Sequence, residues 1–255
     1  MEYQFAKHKG LFITATDTGV GKTVISGAIA KILRQSGKNA CPTKPWRRRV
    51  GVFKPIATGC KSTREGLVSE DTEFLSCCAE SEFSLDDITP ITYSTPAAPL
   101  ACEIAENRLV NLEKIITAYN YMCSKTDCVI IEGIGGIRVP ITAGLDVLGL
   151  AKAFGLPVVI VARPNLGTIN HTLLTIDAVR GANLPLAGVI INGYDESKAD
   201  FAWQSAPAII ADVGKTPLLA VVPFDDRTNT EKGIIGDAVM DSLTDVDWIK
   251  IIYER

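Results

Sequence analysis

The stretch that decides the fold is Ala15-Thr16-Asp17-Thr18-Gly19-Val20-Gly21-Lys22-Thr23. It follows the apolar, strand-like run 10–14 and leads into residues 24–33, whose pattern is typical of a helix. A strand, a glycine-containing loop ending in Gly-Lys-Thr, and a helix are the parts of a phosphate-binding P-loop in their usual order. Backbone N–H groups at the start of such a helix attract anionic oxygens. The stretch therefore predicts a nucleotide site, in which Lys22 reaches the β- and γ-phosphates and Thr23 binds Mg²⁺.

The loop departs from the usual motif at one position, because Thr16 stands where the pattern has glycine. In isolation, a chance Gly-Lys-Thr on a surface loop would explain the motif as well, but the flanking strand and helix argue against that interpretation. The loop does not name a reaction, since one fold hosts many functions.

Composition and charge fit a globular protein. The chain has 255 residues, 47% of them hydrophobic, and a net charge of −3, which gives no argument for nucleic acid or membrane as a partner. No apolar run approaches the roughly 20 residues of a spanning helix, and the N-terminus lacks the apolar core of a signal peptide. We therefore expect a cytoplasmic protein.

Cysteine and histidine usage excludes two classes of stabilising site. Seven irregularly spaced cysteines argue against a disulfide framework, and two histidines argue against a Cys/His zinc cluster. We interpret the vicinal pair Cys77-Cys78 as part of a buried helix face.

Short apolar runs alternate with helical patterns along the chain. The predicted strands are 11–15, 50–54, 127–132, 157–162, 186–192 and 217–223, and the predicted helices are 22–36, 111–125, 145–154, 167–182 and 200–213. Nearly continuous apolar strands are typical of a parallel sheet covered on both faces. The pattern predicts an α/β fold of the P-loop nucleoside triphosphatase type, with a doubly wound, mostly parallel sheet and its ligands at the carboxyl ends of the strands.

Two segments interrupt this alternation. The basic segment 38–49 is interpreted as a solvated loop, and 82–100 as a long irregular connection near the site. No linker or repeat is evident, so residues 1–255 are expected to form a single domain.

Two strand ends carry charged side chains at the same predicted edge as the P-loop. Lys54 is either an exposed strand-end lysine or a second cation over a transferring phosphoryl group, where charge develops. Glu132 closes an apolar strand, as does the Mg²⁺-serving acid of a Walker B strand, and Gly133 and Gly135 let the backbone approach a ligand. Asp71 could be a second oxygen ligand or a helix N-cap.

Asn192 ends another predicted strand, and its amide could hydrogen-bond an adenine edge. The segment Asn192-Gly193-Tyr194-Asp195 is similar to the guanine-reading N-K-x-D motif, but Gly193 replaces the lysine, which weakens a GTP assignment.

Taken together, these blocks resemble dethiobiotin synthetase, a family that acts in biotin synthesis. The resemblance rests on four blocks in the family's order and spacing: 16–23, 54–59 (Lys54-Pro55-Ile56-Ala57-Thr58-Gly59), 132–136 and 166–171 (Leu166-Gly167-Thr168-Ile169-Asn170-His171). It covers roughly residues 10 to 235, and the block Thr-Asp-Thr-x-Val-Gly-Lys-Thr joined to Lys-Pro is highly specific.

The resemblance implies roles for individual residues. Catalysis would involve Lys54, Lys22 and Thr18. MgATP would be bound by Gly19, Val20, Gly21, Lys22, Thr23, Val24, Asp71, Glu132, Gly133, Gly135, Asn192, Val222, Pro223 and Phe224, with Thr23, Asp71 and Glu132 around the metal. The substrate would contact Thr18, Lys54, Thr58, Gly135 and Asn170. Some members carry Glu where this chain has Gly19, so no side-chain role carries over there, and the basic segment at 44–49 has no counterpart.

The resemblance also implies a reaction and an assembly. The expected substrates are 7,8-diaminopelargonic acid, CO₂ and ATP, which react through a carbamate and a carbamic-phosphoric anhydride to give dethiobiotin, ADP and phosphate. The expected assembly is a homodimer, in which segment 166–171 reaches the neighbouring subunit's substrate.

Two other functions remain to be weighed. An ATP-driven switch of the MinD and nitrogenase iron-protein group has a lysine near the start of its P-loop, where this chain has Asp17. A corrin-ring amidating ligase carries a glutamine-hydrolysing domain with Cys and His, and this chain has neither after residue 200.

Overall fold

The structure is a computed structural model and describes residues 4–36, 48–64 and 66–254. Within these ranges the strands are β1 (Gly10–Ala15), β2 (Val50–Phe53), β3 (Ile56–Ala57), β4 (Lys61–Thr63), β5 (Gly66–Val68), β6 (Ile91–Thr92), β7 (Cys128–Glu132), β8 (Pro140–Thr142), β9 (Leu145–Asp146), β10 (Val158–Ala162), β11 (Leu186–Tyr194) and β12 (Leu218–Pro223). The helices are α1 (Lys22–Ser36), α2 (Glu70–Ala79), α3 (Leu85–Ile88), α4 (Pro99–Glu106), α5 (Leu112–Lys125), α6 (Val147–Phe154), α7 (Thr168–Gly181), α8 (Phe201–Gly214), α9 (Asp237–Thr244) and α10 (Trp248–Tyr253).

In the described part of the chain, a central sheet of six strands runs in the order β12-β11-β10-β1-β7-β2. All of its neighbouring strands are parallel. The chain passes from β1 to one edge of the sheet and later to the other, so the direction of winding reverses around β1. Ligands of open α/β sheets bind at the carboxyl ends of the strands near such a reversal. The prediction of a doubly wound, mostly parallel α/β sheet is confirmed.

The main helices form where apolar side chains recur at helical spacing. Helix α1 buries Ile25, Ile29 and Leu33, which lie four residues apart on one face. Helix α5 begins where the Asn111 side chain accepts the backbone N–H of Lys114 at 3.0 Å, satisfying a donor that the helix itself leaves free. This cap explains why α5 begins within one residue of its predicted start.

Most predicted boundaries lie within one residue of the observed ones, and two, the end of β11 and the start of α6, are wrong by two residues. Strand β11 continues to Tyr194 instead of ending at Asn192, because the end of β12 pairs with it. Strand β2 ends at Phe53 rather than at Lys54. The helix predicted at 145–154 begins at Val147, since Leu145 and Asp146 pair with β8 and the Asp146 carboxylate accepts the N–H of Gly149 as an N-cap.

Several short elements have no predicted counterpart. They are α2, α3, α4, α9, α10 and the small two-stranded pairs β3–β6, β4–β5 and β8–β9. The segment 82–100 is therefore only partly irregular, because it holds α3, β6 and the first residues of α4. Of the segment 38–49, residues 38–47 lie outside the described residues.

The six described cysteines are all free, as the irregular spacing predicts. The interpretation of Cys77-Cys78 as a buried pair is wrong for Cys77, whose side chain is exposed on α2, and right for Cys78, which is buried. Adjacent positions of one helix point about 100° apart, so the two thiols leave the helix in different directions. No helix among the described residues is long and apolar enough to cross a membrane.

Candidate functional site

The loop between β1 and α1 has the backbone that a phosphate-binding loop requires. Gly19 and Gly21 adopt positive φ angles of 73° and 92°, a region that side chains with a Cβ rarely enter. The Lys22 ammonium is almost completely buried and donates to the carbonyl oxygen of Asp17 at 3.3 Å, folding back over the loop. The loop thus encloses a concave backbone surface with a cation at its edge.

Behind the loop, an ammonium lies between two carboxylates. Lys54 follows β2, and its Nζ lies 2.7 Å from Glu132 Oε1 and 2.5 Å from Asp71 Oδ2. Glu132 is the last residue of the buried strand β7, which pairs with β2, and Asp71 lies in the first turn of α2. Asp71 is not an N-cap, because Ser69 holds that position. Only 4% of Lys54 is exposed, so it is not an exposed lysine at a strand end.

The charges in this cluster stabilise one another. Burial disfavours the charged form of Lys54, but Glu132 and then Asp71 outweigh burial and raise its pKa. Burial likewise disfavours the ionised form of Asp71, but Lys54 outweighs it and lowers the Asp71 pKa. The pKa of Lys22 is lowered, first by burial, which the nearby carboxylate of Glu132 only partly offsets. Lys54 is therefore a fixed cation at neutral pH rather than a general base.

The oxygen atoms of Glu132 have unequal surroundings. Oε1 accepts hydrogen bonds from the Lys54 ammonium and from the Thr23 hydroxyl, the latter at 2.9 Å. Oε2 is buried and has no hydrogen-bond partner. An unpaired anionic oxygen in the interior is costly, so the position calls for a cation or a donor that the chain itself does not supply.

The side-chain oxygen atoms around Glu132 are suitable ligands for a hard divalent cation. Asp71, Glu132 and Thr23 offer carboxylate and hydroxyl oxygens, the ligands that Mg²⁺ prefers alongside phosphates and water. Among the described residues no group of three or more His, Cys, Asp or Glu side chains is arranged to hold a metal.

Thr18 and the glycine loop after β7 face each other across the mouth of the site. A Cβ built on Gly135 would lie 3.4 Å from the Thr18 hydroxyl and 2.7 Å from Val139 Cγ2. The N–H of Gly133 donates to the Ile13 carbonyl oxygen at 2.9 Å, which ties this loop to β1. The structure thus brings Thr18, Gly133 and Gly135 together with the phosphate-binding loop.

Residues predicted for adenine come together at the ends of β11 and β12. Asn192 pairs with Val222, and Tyr194 pairs with Pro223. The Asn192 amide donates to the Val20 carbonyl oxygen at 2.9 Å, so part of its hydrogen-bonding capacity is used by the loop. The Val222 side chain is fully buried and offers only its backbone, whereas Phe224 is 62% exposed.

Three further predicted residues lie outside this cluster of contacts. Thr58 follows β3 and is half-buried, Val24 packs against the core from the first turn of α1, and Asn170 is exposed on the first turn of α7. The predicted roles of the site residues remain predictions.

Sequence reasoning missed one side chain at the mouth of the site. Arg163 directly follows β10 and donates to the Asp17 carboxylate and to the Thr18 carbonyl oxygen. The available signal was its place at the end of a buried strand, the same signal that selected Lys54 and Glu132.

Gly21→Ala is expected to weaken ATP binding at least tenfold. A Cβ at this position would lie 2.1 Å from Asn192 Nδ2, and the φ of 92° would be strained for alanine at a cost of about 1 kcal/mol or more. Gly19→Ala is the matched control, because its φ is also positive but no atom lies within 4 Å of the new Cβ. Calorimetric titration with a non-hydrolysable ATP analogue checks this, and equal affinities for the two variants would contradict it.

Known proteins are similar to this chain over the part that contains the candidate site. A family model described as an AAA domain matches residues 9–232. The protein named ATP-dependent dethiobiotin synthetase BioD from Thermodesulfovibrio yellowstonii is 36% identical over 230 residues, which cover 88% of this chain and 92% of that protein. The protein of the same name from Bacillus subtilis strain 168 is 38% identical over 215 residues, covering 84% and 87%.

Solved structures similar to this chain share its fold at low sequence identity. The MinD cell division protein of Aquifex aeolicus matches with a TM-score of 0.57 at 14% identity, covering 93% of this chain and 94% of that one. A ParA family ATPase from Chlorobium tepidum matches with a TM-score of 0.51 at 15% identity, covering 98% of each chain. At such identities the likeness shows the fold alone, and it confirms the P-loop type of α/β sheet.

Proposed function

The chain belongs to the dethiobiotin synthetase family, and we propose that it catalyses the ATP-dependent carboxylation and ring closure of 7,8-diaminopelargonic acid with CO₂. The products are dethiobiotin, ADP and phosphate, which makes the protein a ligase. The observation that carries the mechanism is the buried Lys54 ammonium between Glu132 and Asp71, directly behind the phosphate-binding loop.

The reaction divides into three balanced steps. One substrate amine attacks CO₂ and loses a proton, giving a carbamate. A carbamate oxygen then attacks the γ-phosphorus of ATP, and the bond from that phosphorus to the bridging oxygen breaks to release ADP. Finally, the second amine attacks the carbamate carbon and loses a proton, the carbon–oxygen bond to the phosphoryl group breaks, and phosphate leaves as the urea ring closes.

The protein's own contribution is positioning and charge neutralisation, which is what phosphoryl transfer mainly needs. Lys22 and Lys54 supply two cations, and the backbone N–H groups of 19–23 supply donors for the phosphates. We expect Thr18 and the Gly133–Gly135 loop to hold the carbamate and the transferring phosphoryl group, which is supported by the closeness of the Thr18 hydroxyl to Gly135. Burial strengthens these interactions because water does not compete with them.

Mg²⁺ is the metal that we propose for the site. Asp71, Glu132 and Thr23 would hold it, and the support is the buried, unpartnered Oε2 of Glu132. When bound, Mg²⁺ neutralises charge on the phosphates and orients them.

A homodimer with shared sites is the proposed assembly. Asn170 is exposed in the first turn of α7. Leu166, just before this helix, is 85% exposed, Leu174 within it is 61% exposed, and Phe201 at the start of the adjacent helix α8 is 83% exposed. A second copy of the chain that covers this surface would bring Asn170 and the N-terminus of α7 to its neighbour's substrate, whose carboxylate a helix N-terminus can receive.

Mixing an Asn170→Ala chain with a Lys54→Ala chain tests the shared site. If each site combines Lys54 of one subunit with Asn170 of the other, the heterodimer has one site with both lesions and one with neither, so part of the activity returns. Subunit exchange is confirmed separately by mass spectrometry of the intact dimer. No recovery in a confirmed heterodimer, with each single variant impaired, would mean that both residues serve one chain's site.

A steady-state assay separates the ligase from a switch ATPase. Phosphate release that requires the diamine supports the ligase. ATP hydrolysis that does not depend on the diamine and is accelerated by a protein partner would favour the switch. Asp17 argues against the switch, because that group has a lysine at this position.

A further inference from the structure

Arg163 reaches the phosphate-binding loop because of the register of two parallel strands. Strand β10 lies beside β1 with Val161 opposite Ala15, and the N–H of Thr16 donates to the Val161 carbonyl oxygen at 3.0 Å. Two residues beyond Val161, the chain is therefore level with Asp17. This places Arg163 at the mouth of the site, at the start of the connection that leads to α7.

The Arg163 guanidinium holds the loop at two points. Its Nη2 donates to Asp17 Oδ2 and to the Thr18 carbonyl oxygen, both at 2.9 Å. The other Asp17 carboxylate oxygen, Oδ1, accepts the N–H of Thr18 at 2.7 Å. The N–H and the C=O of Thr18 are thus both fixed, one through Asp17 and one directly.

The ion pair between Arg163 and Asp17 is too exposed to contribute much to folding stability. The Arg163 side chain is 41% exposed and that of Asp17 59%, and ion pairs at such exposure add little to folding stability. The contacts instead fix the backbone of Thr18, whose hydroxyl lies close to Gly135.

The later part of the loop is held by other contacts. The Val20 carbonyl oxygen accepts from Asn192, and the Thr23 hydroxyl donates to Glu132. Loss of the Arg163 contacts therefore loosens residues 17–18 more than the part of the loop that enters α1.

We propose that Arg163 is a positioning residue that holds Thr18 in the conformation that binds the diamine substrate. This role rests on the proposed function, in which Thr18 helps to hold the carbamate and the transferring phosphoryl group. The guanidinium acts through Thr18 and Asp17 and is not itself a catalytic residue.

Arg163→Gln is expected to lower kcat/KM for the diamine about tenfold, mainly by raising KM. The reason is that the charge-assisted hydrogen bonds to Asp17 and to the Thr18 carbonyl oxygen are lost. The affinity for a non-hydrolysable ATP analogue should change less than about twofold, since Asn192 and Glu132 hold the later part of the loop. Arg163→Lys should restore part of the loss, because an ammonium can satisfy one of the two acceptors. Arg49→Gln is the matched control, because it removes an exposed ion pair with Asp127. That pair lies at the amino ends of β2 and β7, at the other end of the strands from the site.

A double variant tests whether Arg163 acts through Asp17. The loss in Arg163→Gln combined with Asp17→Asn should be close to that of the larger single variant, because both changes break one contact. Fully additive losses, an unchanged KM for the diamine, or equal losses in diamine and nucleotide affinity would each overturn the proposal.

Amide hydrogen exchange keeps this test separate from the proposed function. Without any substrate, the segment 14–22 should exchange faster in Arg163→Gln than in the wild type and in Arg49→Gln. Wild-type protein without diamine-dependent turnover would refute the proposed function, whereas unchanged exchange in 14–22 would refute the Arg163 contact itself.

Discussion

Lys54→Ala is expected to abolish ring formation, with a loss of turnover of at least a hundredfold. The Lys54 ammonium is fixed beside the phosphate-binding loop, and removal of one such preorganised charge costs about 3 kcal/mol in the transition state. Lys54→Arg should also be poor, because a planar guanidinium does not fit a site built around a compact ammonium. Lys61→Ala, which removes an exposed lysine paired with Glu70, should keep wild-type turnover.

The same substitution leaves two carboxylates without their cation, so stability must be measured alongside activity. Loss of one partner from a buried ion pair costs about 3–5 kcal/mol, and we expect a lower Tm for Lys54→Ala and for Lys54→Met. Mg²⁺ should raise the Tm of these variants more than that of the wild type, because it can take the place of the ammonium between Asp71 and Glu132. A folded variant with near-wild-type turnover would contradict the assignment of Lys54.

Glu132→Gln is expected to reduce turnover by about a hundredfold while leaving nucleotide affinity nearly unchanged. The amide keeps the size of the side chain, but it removes the negative charge. It also replaces one carboxylate oxygen, such as the unpartnered Oε2, by an NH₂ group that does not bind a metal. Higher Mg²⁺ concentrations should restore part of the turnover, because the variant loses a ligand and not the phosphate-binding loop.

Glu103→Gln is the matched control for that experiment. Glu103 is also buried, and it accepts from the Val110 N–H and the Thr142 hydroxyl, away from the phosphate-binding loop. Its replacement should lower stability without altering the Mg²⁺ dependence. An unchanged Mg²⁺ dependence in Glu132→Gln would mean that Glu132 does not bind the metal.

The central sheet could be predicted from the sequence because its strands are buried on both faces and therefore appear as continuous apolar runs. The runs at 11–15 and 157–162 correspond to β1 and β10, with boundaries within one residue. Helix α2 was missed because it begins with the charged stretch Glu70-Asp71-Thr72-Glu73 and is only 10 residues long, so its apolar face has few repeats. The helices α4, α9 and α10 are shorter still, with eight, eight and six residues, so their apolar faces also have too few repeats to detect.

For the candidate site, sequence position identified residues at the carboxyl edge of the sheet but not their contacts. The ends of β2 and β7 gave Lys54 and Glu132, because neighbouring parallel strands end at the same edge. That Lys54 contacts both Glu132 and Asp71 depends on the angle at which α2 enters the site, which local pattern does not encode. Arg163 was missed since its partners, Asp17 and the Thr18 carbonyl, are set by the register between β1 and β10.

Incubation with diaminopelargonate, ¹³C-bicarbonate and MgATP, followed by mass spectrometry of the product, tests the central claim most directly. The account predicts a cyclic urea that carries one ¹³C atom, with one ADP and one phosphate released for each product molecule. The Lys54→Ala protein should give no such product under the same conditions. ATP hydrolysis by the wild-type protein without incorporation of ¹³C into the diamine would contradict the account.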